Sequence, residues 1–175
     1  GLRAFMQKIT QFNVSGKKFV LCMKGIEITT GCRLSEVLVQ SGIDENAVAV
    51  WVGPGHIQAF TNGIPNCMVI DSTNDELKRW LADGFKSELI RFYYGSDMIG
   101  TEIGAAAKNV MGIVAGALDG CGYVSLKGSL MSRGAREVAR LIKAMGGNEL
   151  SAYGLAHLGD YEATLFSEYS HNRMY

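Results

Sequence analysis

The sequence predicts an α/β unit followed by an all-α unit, the first built on an open and incomplete sheet. Short apolar runs alternate with helix-period segments over residues 1–95, the pattern of strands joined by crossover helices. Beyond Gly95 strand formers thin out, proline is absent, and two long stretches keep helical spacing. Only four candidate strands occur, and the chain opens on a helix with no strand before it. The sheet is therefore expected to be part of a larger one, with both termini cut from a longer protein. A boundary near residue 95 separates an expected unit at 1–95 from a helical unit at 96–175.

Residues 2–12 set Leu2, Phe5, Met6 and Ile9 at helical spacing, and residues 13–16 end that helix. Residues 18–23 read as a strand. Residues 33–40 read as a helix closed by Ser41 and Gly42, and 47–52 and 67–71 as buried strands. Thr73 and Glu76 have capping-box spacing, which predicts a helix from Thr73 to about Phe85. Residues 89–94 form the last expected strand. Long helices follow at 97–118 and 127–145, the second stopped by Gly146 and Gly147.

Lys plus Arg equals Asp plus Glu at 17 each, so the net charge is zero. That balance argues against a nucleic-acid partner, which needs a basic face. Residues 99–118 have a spanning length, but Glu102, Lys108 and Asn109 interrupt them. A mid-span charge costs about 3 kcal/mol or more, so a buried helix of a soluble protein is expected, with no membrane span. The four cysteines are scattered without C-x-x-C spacing, which predicts reduced thiols and a cytoplasmic setting. Cys22 and Cys67 lie in apolar runs, where cysteine behaves as a small hydrophobe. No metal-ligand spacing occurs.

A dinucleotide motif is suggested by Gly53-Pro54-Gly55-His56-Ile57-Gln58 after a strand, with Asp71 downstream. Pro54 removes an N–H from a loop that would have to donate N–H groups to phosphate. Gln58 stands at the third glycine, and Gly63-Ile64-Pro65 leaves room for barely two helical turns. The expectation is a substrate-lining or structural loop, with any main phosphate-binding loop outside this chain.

Lys108 is the only cation between Arg91 and Lys127, on one i, i+4 row with Gly104 and Gly112. Small neighbours let a ligand or a second helix approach and leave an amine few routes to water. Desolvation draws a lysine from about 10.4 toward roughly 7–8, the useful range for proton transfer. The other reading is a close helix contact from which the amine snorkels to the surface. Asp160 after Gly159 suits a turn or helix cap, or a carboxylate that orients a lysine. His157 reads as a packed or surface residue. Residues 170–173 (Ser-His-Asn-Arg) gather donors suited to a phosphate, or form a solvated segment. Lys24-Gly25 follows a strand, at the carboxyl edge where α/β proteins bind ligands.

In order, Met23-Lys24-Gly25-Ile26-Glu27, Val52-Gly53-Pro54, residues 102–110, Ser132-Arg133-Gly134, residues 154–160 and residues 170–173 resemble the NAD(P)-dependent glycerol-3-phosphate dehydrogenase family. The resemblance implies an incomplete Rossmann-type sheet with a C-terminal helical domain, and NAD or NADP as cofactor. It implies interconversion of sn-glycerol 3-phosphate and dihydroxyacetone phosphate, with a small phosphorylated triose as partner and a possible homodimer. Lys108 would be the general acid–base, supported by Asp160. Lys24 would contact substrate and cofactor, with Ile57 and His171 also at the cofactor. Gly53, Gly55, Asp160, Ser170, His171, Asn172 and Arg173 would bind substrate. Three residues depart from the family pattern: Gly55 where Ser or Thr is usual, His56 where an aromatic is common, and His171 in place of an arginine. Two alternatives stay open, a related hydroxyacid dehydrogenase and a non-catalytic assembly module. Without the dinucleotide loop, the chain alone is expected to be inactive.

Overall fold

The computed structural model describes residues 1–166. Helix α1 (Leu2–Ile9) leads into strand β1 (Phe19–Leu21), and α2 (Leu34–Gln40) into β2 (Val48–Val52). The short α3 (Ile57–Thr61) precedes β3 (Asn66–Asp71), and α4 (Asp75–Phe85) precedes β4 (Ile90–Tyr94). The strands lie in the order β1-β2-β3-β4. β1 and β2 are parallel, β2 and β3 antiparallel, and β3 and β4 parallel. The parallel pairs are those joined through the longer connecting helices. A parallel pair needs a crossover of a dozen residues or so, which the α2 and α4 connections supply. Between β2 and β3 there are only α3 and its flanking turns, and the chain returns antiparallel.

Local chemistry corrects several expected bounds. Asn74, not Thr73, caps α4: its side-chain oxygen accepts from the N–H groups of Glu76 (3.0 Å) and Leu77 (3.2 Å). The first helix stops at Ile9 rather than residue 12, where the Thr10 hydroxyl donates back to the Met6 carbonyl at 2.9 Å. β1 pairs with β2 only through Leu21, after which the chain leaves the sheet. Cys22 is therefore exposed, and Cys67 is only half-buried. Neither is the packed hydrophobe expected from its run.

β2 is buried on both faces, as its unbroken apolar sequence requires. Val48, Val50 and Val52 share one core with Met6, Leu21 and Leu38. On the opposite face Ala49 packs with Ile70, Leu77 and Leu81, and Trp51 meets Phe92 edge-on at 4.8 Å. The chain then enters α5 (Met98–Gly120) and α6 (Leu126–Ala144), which pack through Ile103, Val138, Ala139 and Ile142. The first half of α5 is buried nearly all round, while Val110, Ile113 and Val114 face outward. Among the described residues no helix is long and apolar enough to cross a membrane.

The core does not stop at residue 95, because Ala105 and Ala156 belong to the cluster of Val48 and Val50. A buried polar latch fixes the register. Glu102, 6 % exposed, accepts from Arg33 Nη1 (2.7 Å), the Ser35 hydroxyl (2.5 Å) and the Ser35 N–H (2.9 Å). Such a network specifies one arrangement more than it adds stability. It sets α5 against α2 and so fixes where Lys108, further along α5, meets the sheet.

Candidate active site

The site forms where three separate segments converge. Lys24 lies in the loop at the carboxyl end of β1, Lys108 in the middle of α5, and Asp160 at the start of α7 (Asp160–Phe166). Just before α7 the chain makes one π-helical turn, Leu155–Gly159, a geometry common at functional sites. Asp160 therefore opens a helix rather than only ending a turn.

The Lys108 ammonium donates to Asp160 Oδ1 at 2.7 Å and to the Thr164 hydroxyl oxygen at 3.0 Å. The Thr164 hydroxyl in turn donates to the Asp160 backbone carbonyl oxygen at 2.8 Å. Lys24 Nζ pairs with the other carboxylate oxygen, Asp160 Oδ2. Lys108 is 8 % exposed and Asp160 1 %, so the amine is buried and paired rather than snorkelling. Two cationic side chains thus share one buried anion, Lys108 from the interior and Lys24 from a partly exposed position. Burial holds the Lys24 amine below the ordinary lysine value; Asp160 opposes that fall and Lys108 adds to it. His56 is likewise held down, first by burial and then by repulsion from Lys108. A centre with this surplus of positive charge suits an anionic ligand, or an oxygen on which negative charge develops during reaction.

The glycine–proline loop after β2 closes one side. Gly53 has φ +140°, and a side chain there would meet the Met68 backbone at 3.1 Å. The Gly55 N–H donates to Met68 Sδ at 3.2 Å, so it is not free for a phosphate, and α3 behind it is five residues long. A Cβ on Gly55 would lie 2.5 Å from both Met68 Sδ and the Phe60 ring. Those two side chains fill the room that a Ser or Thr would need. Ile57 is 76 % exposed on α3.

Ser170, His171, Asn172 and Arg173 lie outside the described residues. Thr164, one turn after Asp160, was missed by sequence reasoning, although its i, i+4 spacing to a candidate carboxylate was there to be read. The close approach expected at Gly104 is made by His157 of the π turn. A Cβ on Gly104 would stand 2.8 Å from His157 Cβ. Replacing Gly104 with Ala is expected to destabilise the protein by up to about 2 kcal/mol. Overpacking costs about 1–3 kcal/mol, and about 1 kcal/mol returns as helix propensity. Thermal unfolding measures the balance. Among the described residues no cluster of His, Cys, Asp and Glu is placed to hold a metal.

The family models for the NAD-dependent glycerol-3-phosphate dehydrogenase N-terminus and C-terminus match residues 1–78 and 97–175 respectively. The chain belongs to that family. Within the glycerol-3-phosphate dehydrogenase frame, Lys24 and Gly53 fall in the N-terminal match and Lys108 and Asp160 in the C-terminal one, so the site joins both. The chain is 35 % identical over 175 residues to the glycerol-3-phosphate dehydrogenase [NAD(P)+] of Prosthecochloris aestuarii, covering 98 % of this chain and 53 % of that protein. It is 37 % identical over 173 residues to the Moorella thermoacetica enzyme of the same name, covering 98 % and 51 %. The crystal structure of glycerol-3-phosphate dehydrogenase from Coxiella burnetii superposes with a TM-score of 0.89 at 26 % identity, over 98 % of this chain and 53 % of that one. The chain thus spans about half the length of the curated relatives it matches.

Proposed function

We propose that this chain supplies the proton-transfer and substrate end of an NAD(P)-dependent enzyme that interconverts sn-glycerol 3-phosphate and dihydroxyacetone phosphate. The observation that carries the reading is the shared carboxylate, with Lys108 and Lys24 on opposite oxygens of Asp160. In the reducing direction the Lys108 ammonium gives its proton to the C2 oxygen of dihydroxyacetone phosphate as C2 receives a hydride. In the oxidising direction the neutral amine takes the C2 hydroxyl proton as that hydride leaves. Asp160 holds the amine in place and offsets its charge while it is protonated. Lys24 adds a second positive charge, which stabilises negative charge on the C2 oxygen and draws in the substrate phosphate.

NAD or NADP, when bound, supplies the hydride acceptor or donor. The loop after β2 is unsuited to its pyrophosphate, since the Gly55 N–H is engaged, whereas a cation at a strand's carboxyl edge fits a cofactor that ends there. Lys24, Ile57 and His171 are the residues assigned to it. Ser170, His171, Asn172 and Arg173, with Gly53 and Gly55, are assigned to the substrate. The reading extends to a homodimer and, in keeping with four free cysteines, to a cytoplasmic setting.

The test is a substrate panel on the full-length protein. Oxidation of NADH or NADPH is expected with dihydroxyacetone phosphate and not with 2-oxo acids. Turnover confined to 2-oxo acids would move the assignment to a hydroxyacid dehydrogenase. Turnover with neither class would leave an assembly module.

A further inference from the structure

His157 is fully buried, three residues ahead of Asp160, and the site chemistry described above does not use it. Its Nδ1 lies 2.9 Å from the Gly104 carbonyl oxygen. A carbonyl only accepts, so Nδ1 carries the ring proton and Nε2 bears the lone pair. Nε2 itself is buried without a hydrogen-bond partner among the described residues. The imidazole thus makes one directed polar contact, across 53 residues of sequence, from the π turn to α5. That contact has a particular place. In an α-helix the carbonyl of residue 104 is the one that faces the N–H of residue 108, so His157 binds the turn of α5 that carries Lys108. The absence of a side chain on Gly104 permits the approach, and the Tyr161 ring, 5.8 Å away and nearly parallel, backs the imidazole. Burial also pushes the imidazole below the ordinary histidine value, against the opposing pull of the Gly104 bond and Asp160.

We infer that His157 is a positioning residue: by bonding the π turn to the Gly104 carbonyl, it fixes the Asp160 carboxylate in register with the Lys108 amine. The inference deepens the dehydrogenase reading and rests on it for any effect on turnover. The π turn is closed by an i→i+5 bond of 3.2 Å from the Gly159 N–H to the Gly154 carbonyl, so an outside anchor helps determine where its end points. A displacement of about 1 Å at a reacting group can cost on the order of 100-fold in rate.

The experiment uses the full-length protein and three variants: His157→Phe, which keeps a ring but cannot donate, His157→Asn, whose amide N–H can take the place of Nδ1–H, and His157→Ala. We expect the Phe and Ala variants to lose about 10- to 100-fold in kcat with KM for NADH or NADPH unchanged. The Asn variant should recover most of the loss. In parallel, acetylation by acetic anhydride without substrate, read by peptide mass spectrometry, should show faster labelling of Lys108 in the Phe and Ala variants than in the wild type or the Asn variant. If the Phe variant keeps both wild-type kcat and wild-type Lys108 labelling, the inference is wrong. The same holds if Asn restores neither, or if only the melting temperature falls. Should labelling follow the expected pattern while even the wild-type protein fails to reduce dihydroxyacetone phosphate, the positioning role stands and the dehydrogenase reading falls. If the Phe and Ala variants do not fold, the Asn variant decides alone, wild-type-like kcat and labelling supporting the anchor and their loss overturning it.

Discussion

Replacing Lys108 with Ala in the full-length protein is expected to lower kcat by about 10²–10⁴-fold, the usual contribution of a positioned acid–base group. The dissociation constant for NADH, read by fluorescence, should change little. The size of the loss follows from burial. Lys108 is 8 % exposed and held by Asp160 and Thr164, so bulk water does not readily substitute for the missing amine. Folding should suffer much less, because the substitution removes one cation from a site that has two cations to one carboxylate. A loss confined to KM would assign Lys108 to uniform binding rather than to proton transfer.

Asp160→Asn should be the most damaging exchange for stability. The carboxylate is 1 % exposed and is the only acid pairing with Lys24 or Lys108 among the described residues. Removing it leaves two ammonium groups facing each other in a buried place, and breaking a buried pair this way costs about 3–5 kcal/mol. The penalty should also depend on pH. Burial already holds the folded-state Lys24 value below the ordinary 10.5, and loss of Asp160 removes the main attraction that opposes the fall. A group with a depressed folded-state value adds stability above its unfolded-state value and loses it as pH falls through the folded-state value. The variant should thus be least stable relative to wild type near neutral pH, and should regain ground as pH rises toward 10.5. Urea unfolding at several pH values measures this. A pH-independent difference of less than about 1 kcal/mol, the worth of an exposed pair, would show that the pair is solvated.

The strands and long helices were readable because each is written in local pattern. The uninterrupted Val48–Val52 run marks a strand buried on both faces, and Lys108 stands out as a lone cation on a row of glycines. The boundary errors come from competition between neighbours. Thr73 and Asn74 both suit a cap, and which one is used depends on how the chain leaves β3. Cys22 sits in an apolar run that outlasts its pairing partner, which no local pattern reveals. The contacts that complete the site were invisible for a different reason. Lys24 and Asp160 are 136 residues apart, and Lys108 and Thr164 are 56 apart. Their meeting depends on the Glu102 latch and the π turn, both products of tertiary packing. The resemblance to a family named Lys24, Lys108 and Asp160, whereas only the fold shows that one carboxylate serves both amines.

The most direct trial of that arrangement is chemical rescue of the full-length Lys108→Ala protein. Methylamine added to the reduction of dihydroxyacetone phosphate should raise the rate of this variant in proportion to its concentration, and leave the wild-type rate unaffected. A variant that turns over within a few-fold of wild type before any amine is added would contradict the claim that this buried nitrogen carries the proton.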